Sequence, residues 1–386
     1  MVENVVILAG GSGTRLWPAS IQDRPKQFLD PGTGKSLLQM TVERAAEIAE
    51  PGGSIIIVTH NSQVNGILEE CLKFGRLRER IVILPEPQMR NTAPAIAFAV
   101  SYLKEAGAFE ETTIVLTADH LITPVEAFKS DVEKAVILAE QGNLVTFGIV
   151  PTRPETGYGY IEAGDFLPPG RKVHGFKEKP DAPTAESYLA AGNYFWNSGM
   201  FVFRNSVFAG ELNAFEPEIM GTFSQIDDLR FEERRTALPM VINEGISIAW
   251  KSGFVDQLYA RLPKISIDYA VMERSDKTAV VETTFRWNDI GSWDEMAQLL
   301  DDGIVEISGG NALSGIGVKT GNVAPVYQVE SHGNYVYSEL PVTVCGLDNI
   351  AVIVKNGRVL VFERGQSQLV KQAVEQMKED GRDDLI

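Results

Sequence analysis

The chain has 386 residues, 44% of them hydrophobic and 23% charged, with a formal net charge of −17. That length exceeds one ordinary domain, and the composition is that of a globular protein with material for a sizeable core. The acidic balance, with no basic block or basic helix face, excludes long nucleic acid and anionic membrane as partners. Two cysteines, Cys71 and Cys345, stand far apart without metal-ligand spacing and point to a reducing compartment. No apolar run approaches the roughly 20 residues of a membrane span. The short N-terminal run reads as a core strand and not a leader, so a cytoplasmic protein is expected.

The first predicted strand, 5–8, runs into Ala9-Gly10-Gly11-Ser12-Gly13-Thr14-Arg15-Leu16-Trp17-Pro18. Three glycines and two hydroxyl residues in a tight turn after a buried strand let backbone N–H groups approach anionic oxygens, and Arg15 adds a planar cation. The dinucleotide fingerprint is excluded because Leu16 stands where its third glycine belongs. The P-loop pattern fails as well: Gly34-Lys35-Ser36 is suggestive, but its first glycine would fall on Leu29. Residues 32–35 read instead as a turn before a helix capped by Ser36. Between these turns, Arg24-Pro25-Lys26 supplies a second cation on a backbone stiffened by proline.

Further along, strands at 55–58, 81–84, 114–116 and 144–149 alternate with helices at 36–49, 63–73, 94–105 and 125–140. This alternation builds a parallel sheet covered on both faces, with ligands expected at the carboxyl ends of its strands. The Gly10–Arg15 loop, Asn91-Thr92-Ala93-Pro94 and Asp119 all fall there. After residue 150 the pattern changes to shorter, more aromatic runs, read as a mixed region. From 303 onward strands dominate, at 323–327, 334–337, 342–345, 350–354 and 359–362, and a helix at 367–378 closes the chain. Asn356-Gly357 is a hairpin turn signal between two of them.

Taken singly, Asp119 and Asp289 read as turn or cap residues. Asn197 is open between closing a turn at Ser198-Gly199 and binding a ligand, and Trp196 and Trp287 read as core aromatics. Lys177 alternates with Glu178 on a strand and faces away from it.

Gly11 to Leu16 with Pro25-Lys26 resembles the N-terminal signature of the sugar-1-phosphate nucleotidyltransferases. The resemblance continues in order through Arg90-Asn91-Thr92-Ala93-Pro94-Ala95, Leu116-Thr117-Ala118-Asp119-His120, Gly157-Tyr158-Gly159-Tyr160-Ile161, Phe176-Lys177-Glu178-Lys179-Pro180, Asn197-Ser198-Gly199-Met200-Phe201, Ser266-Ile267-Asp268-Tyr269-Ala270 and Asp289-Ile290-Gly291-Ser292-Trp293. It implies an α/β fold: a Rossmann-like nucleotidyltransferase domain with a mixed sheet over 1–302, its nucleotide half at about 1–150 and its sugar-phosphate half at about 151–302, plus a small β-rich, β-helical C-terminal domain at 303–386. It implies transfer of GMP from GTP to mannose 1-phosphate, giving the nucleotide sugar and pyrophosphate. No appended isomerase domain is expected.

The resemblance also carries the residue roles. Nucleotide binding falls to Ala9, Gly10, Gly11, Ser12, Gly13, Thr14, Arg15, Lys26, Asn91, Thr92, Ala93 and Pro94. Gly159, Glu178, Lys179, Asn197 and Asp268 take the sugar phosphate, and Asp119 and Asp289 hold Mg²⁺. Catalysis is expected from Arg15, Lys26, Asp119, Lys179 and Asp289. A homodimer joined through the C-terminal strands is an expectation from the resemblance alone. A sister activity on a heptose 1-phosphate would keep every one of these motifs. A non-catalytic sugar-nucleotide sensor would have lost Arg15, Lys26 or an aspartate, and all are present. An oxidoreductase would need an acid where Thr59-His60 ends the second strand.

Overall fold

The computed structural model describes every residue except Ser12, Glu178, 225–239, 250–252, 304–315 and 319–324. Strands in chain order are β1 (Val2–Ala9), β2 (Ala49–His60), β3 (Ile81–Glu86), β4 (Thr112–Thr117), β5 (Leu121–Thr123), β6 (Leu144–Ile149), β7 (Tyr160–Leu167), β8 (Gly170–Lys177), β9 (Tyr194–Arg204), β10 (Met240–Asn243), β11 (Ile246–Ala249), β12 (Thr278–Glu282) and β13 (Arg286–Asn288). The chain then continues through β14 (Ile316–Val318), β15 (Val326–Val329), β16 (Tyr335–Ser338), β17 (Val342–Cys345), β18 (Ile350–Lys355) and β19 (Arg358–Glu363).

The chain divides into two compact units. The first comprises residues 1–10, 41–117 and 122–287 and is built on an eleven-stranded mixed sheet of order β10-β11-β3-β2-β1-β4-β9-β6-β12-β8-β7. From β11 to β4 neighbours run parallel, as the alternation of strands and helices requires, and β9 then pairs antiparallel with both β4 and β6. Val6, Ile56 and Val115 line one face against the helix Thr92–Glu105, whose run of small buried residues lets it lie close to the sheet. The helix Val125–Glu140 packs its buried Phe128 against Phe147 and Phe285. β6 and the helix Val125–Glu140 coincide with their predicted spans, whereas β2 begins at Ala49, six residues before the predicted strand 55–58.

The second unit gathers residues 11–40, 118–121 and 288–386. Its core joins Leu16 and Trp17 to Ile290, Trp293, Tyr335, Tyr337 and Ile353, with Val370 and Val374 of the helix Leu369–Glu379. Its strands alternate between two parallel stacks, β14-β16-β18 and β15-β17, which is the connectivity of a β-helical coil, and β19 closes the first stack antiparallel. Asn356 and Gly357, with φ of 52° and 69°, form the two-residue hairpin turn between β18 and β19. The predicted strand 323–327 begins outside the described residues; its described part lies in β15.

Candidate active site

In the second unit a pocket of about 230 Å³ is lined by Gly13, Thr14, Arg15, Leu16, Lys26, Asp119, Asp289, Ile290 and Gly291. Separate chain segments thus place four predicted catalytic residues, Arg15, Lys26, Asp119 and Asp289, around one cavity. Gly13 makes the first turn possible. Its φ is 56°, and a Cβ there would fall 2.5 Å from Lys26 Cβ and 2.7 Å from Ser20 Oγ. Gly11 is different: a Cβ there would meet Asp119 Oδ2 at 3.8 Å, an ordinary contact.

Lys26 follows Pro25 and opens a single helical turn, Lys26–Phe28, that buries it to 7% exposure. Its ammonium donates to Asp119 Oδ2 at 2.7 Å and to the carbonyl oxygen of Asp289. Burial pushes the Asp119 carboxyl up, yet the nearby Lys26 ammonium and His120 outweigh it and hold the group below its ordinary value. Asp119 is therefore an anion with a cation already beside it. Arg15, by contrast, is exposed at the pocket.

The Asp289 turn is fixed from its far side. Ser292 caps the helix Trp293–Asp301 by accepting from the Glu295 N–H at 3.2 Å, and Glu295 returns to the Gly291 N–H at 2.5 Å. Trp293 Nε1 donates to the Trp17 carbonyl at 2.9 Å, tying this turn to the end of the glycine loop. Ile290, fully buried between Asp289 and Gly291, has φ of 46°, a costly conformation for a β-branched residue that the surrounding core and the Asn288 side chain impose.

The first unit assembles a second group. Asn197 Nδ2 donates to Asp268 Oδ1 at 2.8 Å, its Oδ1 accepts from the Thr146 hydroxyl and the Gly199 N–H, and its own N–H donates to the Gly159 carbonyl at 2.8 Å. Gly159, Asn197 and Asp268 thus stand together. Asn197 also closes the turn at Gly199, one of the two roles its sequence context left open. The Asn91–Pro94 segment is tied to the chain leading to Asp268, because Ala93 N–H donates to Ile265 carbonyl and Ile267 N–H donates to the Thr92 hydroxyl. Asn91 has φ of 70° and accepts from the Thr92 N–H as the cap of its helix. Lys179 is exposed, with φ of 37°, on the turn between β8 and the helix Ala182–Ala191. Ser12 and Glu178 lie outside the described residues. Ile290 and Gly291 were missed by sequence reasoning, although both sit inside the Asp289 motif.

Residues 4–302 match the nucleotidyl transferase family. The chain belongs to this family. As a nucleotidyl transferase it is an enzyme, and its relatives share nearly its whole length. It is 39% identical to the xanthan biosynthesis protein XanB of Xanthomonas campestris pv. campestris, over 98% of this chain and 73% of the relative. It is 36% identical to a mannose-1-phosphate guanylyltransferase of Escherichia coli K12, over 98% of this chain and 74% of the relative. A crystal structure described as mannose-1-phosphate geranyltransferase from Thermus thermophilus superposes with a TM-score of 0.78 at 29% identity, covering 97% of this chain and 99% of that one. No helix among the described residues of this nucleotidyl transferase is long and apolar enough to cross a membrane.

Proposed function

We propose that this nucleotidyl transferase is a mannose-1-phosphate guanylyltransferase, joining GTP and mannose 1-phosphate into GDP-mannose and pyrophosphate. The observation that carries the reading is the pocket in which Arg15, Lys26, Asp119 and Asp289 surround a cavity entered by a glycine turn; the named relatives support the substrate pair. Residues 1–302, which include the family match over 4–302, form the catalytic part in this reading, and 303–386 form a β-rich appendage.

A phosphate oxygen of mannose 1-phosphate attacks the α-phosphorus of GTP in line, the new O–P bond forms, and the bond to the β-phosphate oxygen breaks. The nucleophile is already anionic, so no general base is needed, and the chain's task is to position and neutralise phosphates. Arg15 offers a planar donor fork to the β and γ phosphates, and Lys26 offers a point charge fixed by Asp119 and the Asp289 carbonyl. Lys179 holds the sugar phosphate, while Gly159, Asn197 and Asp268, with Glu178, receive the hexose hydroxyls.

Members of this family generally work with a divalent metal, and Mg²⁺ is the ion proposed here. The donor set fits it. Asp119 and Asp289 supply hard carboxylate oxygens in one pocket, and each faces a glycine, Gly11 and Gly291, whose missing Cβ leaves space beside the carboxylate. When bound, the metal supplies positive charge to the α-phosphate and the departing pyrophosphate.

The test is pyrophosphate release with Mg²⁺, offering each nucleoside triphosphate against mannose 1-phosphate, glucose 1-phosphate and a heptose 1-phosphate. Release with GTP and mannose 1-phosphate, lost in Asp119→Ala, is expected. Release confined to another sugar would overturn the substrate, and none from any pair would overturn the reaction.

A further inference from the structure

The Thr92 hydroxyl is engaged on a side of the site that its place in the chain does not suggest. Thr92 stands in the Asn91–Pro94 segment proposed for the nucleotide, as the first residue of the helix Thr92–Glu105. Its Oγ1 nevertheless accepts the Ile267 N–H at 2.9 Å, across 175 residues of chain. Ile267 is 1% exposed, so water offers that N–H no substitute partner. The next residue is Asp268, whose Oδ1 accepts from Asn197 Nδ2 at 2.8 Å in the group assigned to the hexose.

The other bonds between the two segments stop short of this point. Ala93 N–H donates to the Ile265 carbonyl and Ile265 N–H to the Arg90 carbonyl, each at 3.2 Å. Arg90 adds bonds to the helix Gly253–Arg261, from Nε to the Tyr259 carbonyl at 3.1 Å and from a terminal nitrogen to the Ala260 carbonyl at 3.2 Å. None of these depends on the side chain at position 92. The Thr92 hydroxyl carries the tie two residues further, to the peptide that joins Ser266 to Ile267, immediately before Asp268. A carboxylate that must meet one sugar hydroxyl is sensitive to backbone shifts on the order of 1 Å.

We infer that Thr92 is a positioning residue for the sugar phosphate: its hydroxyl fixes the Ile267 N–H and thereby aims Asp268, although the residue stands in the nucleotide segment. This rests on the mannose 1-phosphate reading above, which gives Asp268 its partner. Steady-state kinetics of Thr92→Val and Thr92→Ser test it, read as pyrophosphate release. Valine keeps the shape and β-branching and loses the acceptor. The KM for mannose 1-phosphate should rise by about tenfold, as for one hydrogen bond lost from a buried donor, while the KM for GTP stays within a factor of about two. Serine returns the hydroxyl without the methyl and should bring the KM for mannose 1-phosphate back to within about threefold of native. An unchanged KM for mannose 1-phosphate, a rise confined to GTP, or equal rises for both substrates would overturn the inference. A serine variant as impaired as the valine one would overturn it too, since the methyl and not the hydroxyl would then matter. Failure of the substrate reading shows separately, in the native protein, as release with another sugar phosphate and none with mannose 1-phosphate; the same split in KM is then read with that sugar phosphate.

Discussion

Lys26 Nζ lies 2.7 Å from Asp119 Oδ2, with the lysine almost wholly buried and the aspartate side chain 26% exposed. One ion pair thus joins a proposed phosphate ligand to a proposed metal ligand before any substrate arrives. Each restrains the other: the ammonium keeps Asp119 ionised, and the carboxylate holds the buried ammonium in place.

Lys26→Met should lower kcat by about 10²–10³-fold, as expected when a fixed charge on the transferring phosphates is removed. The stability effect has a defined pH window. The folded Asp119 carboxyl sits below its unfolded value of 3.8, so the pair's contribution is complete above that value and is lost as pH falls through the lower folded one. Urea unfolding of native and variant proteins from about pH 2.5 to 7 should show a difference of about 1 kcal/mol or more near neutrality that shrinks in acid. A difference independent of pH would remove Asp119 as its source.

Gly13 and Gly11 make a controlled contrast. Gly13→Ala forces a side chain into the left-handed region and against Lys26 Cβ, so about 1–3 kcal/mol of stability and most activity should be lost together. Gly11→Ala adds only an ordinary contact to Asp119, and its stability should stay within about 0.5 kcal/mol of native, with metal dependence the property that moves. Thermal melts and activity against Mg²⁺ concentration would check both.

The grouping of Arg15, Lys26, Asp119 and Asp289 around one candidate pocket was legible in the sequence because its motifs combine glycines, prolines and charges whose local consequences are strong. The Gly13 turn, the Pro25 constraint on Lys26 and the Ser292 cap all act over a few residues. The sequence is silent on the grouping of residues 11–40 and 118–121 with the C-terminal strands, since that grouping is made by long-range burial of Leu16, Trp17, Leu121 and Tyr337. The burial of Glu86 at the end of β3 escaped for a similar reason. A glutamate next to a proline reads as a solvated strand end until the sheet and Tyr259 bury it.

Asn197→Ala should act on the sugar side alone. It removes the donor to Asp268 and the acceptor for Thr146 and the Gly199 N–H, so the KM for mannose 1-phosphate should rise by roughly 10–100-fold. The KM for GTP should stay within a factor of two or three. A parallel rise in both would mean that the residue supports the sheet and not the sugar.

The buried Glu86 makes a prediction about stability that is independent of any ligand. Its carboxyl is raised by burial from 4.5 to about 7, so between these values the folded state holds a proton that the unfolded state has released. Stability must then fall as pH rises through that interval and level off above it. The shift corresponds to roughly 3 kcal/mol, and Glu86→Gln, which cannot ionise, escapes the penalty. Measured without nucleotide, the variant should gain on the native protein steadily from pH 4.5 to about 7 and hold a constant lead above. The Asp119 contribution varies only below 3.8 and leaves this window undisturbed. A stability difference that stays flat across this interval would mean that Glu86 titrates as an ordinary solvated carboxylate, and burial at the end of β3 would not be what raises it.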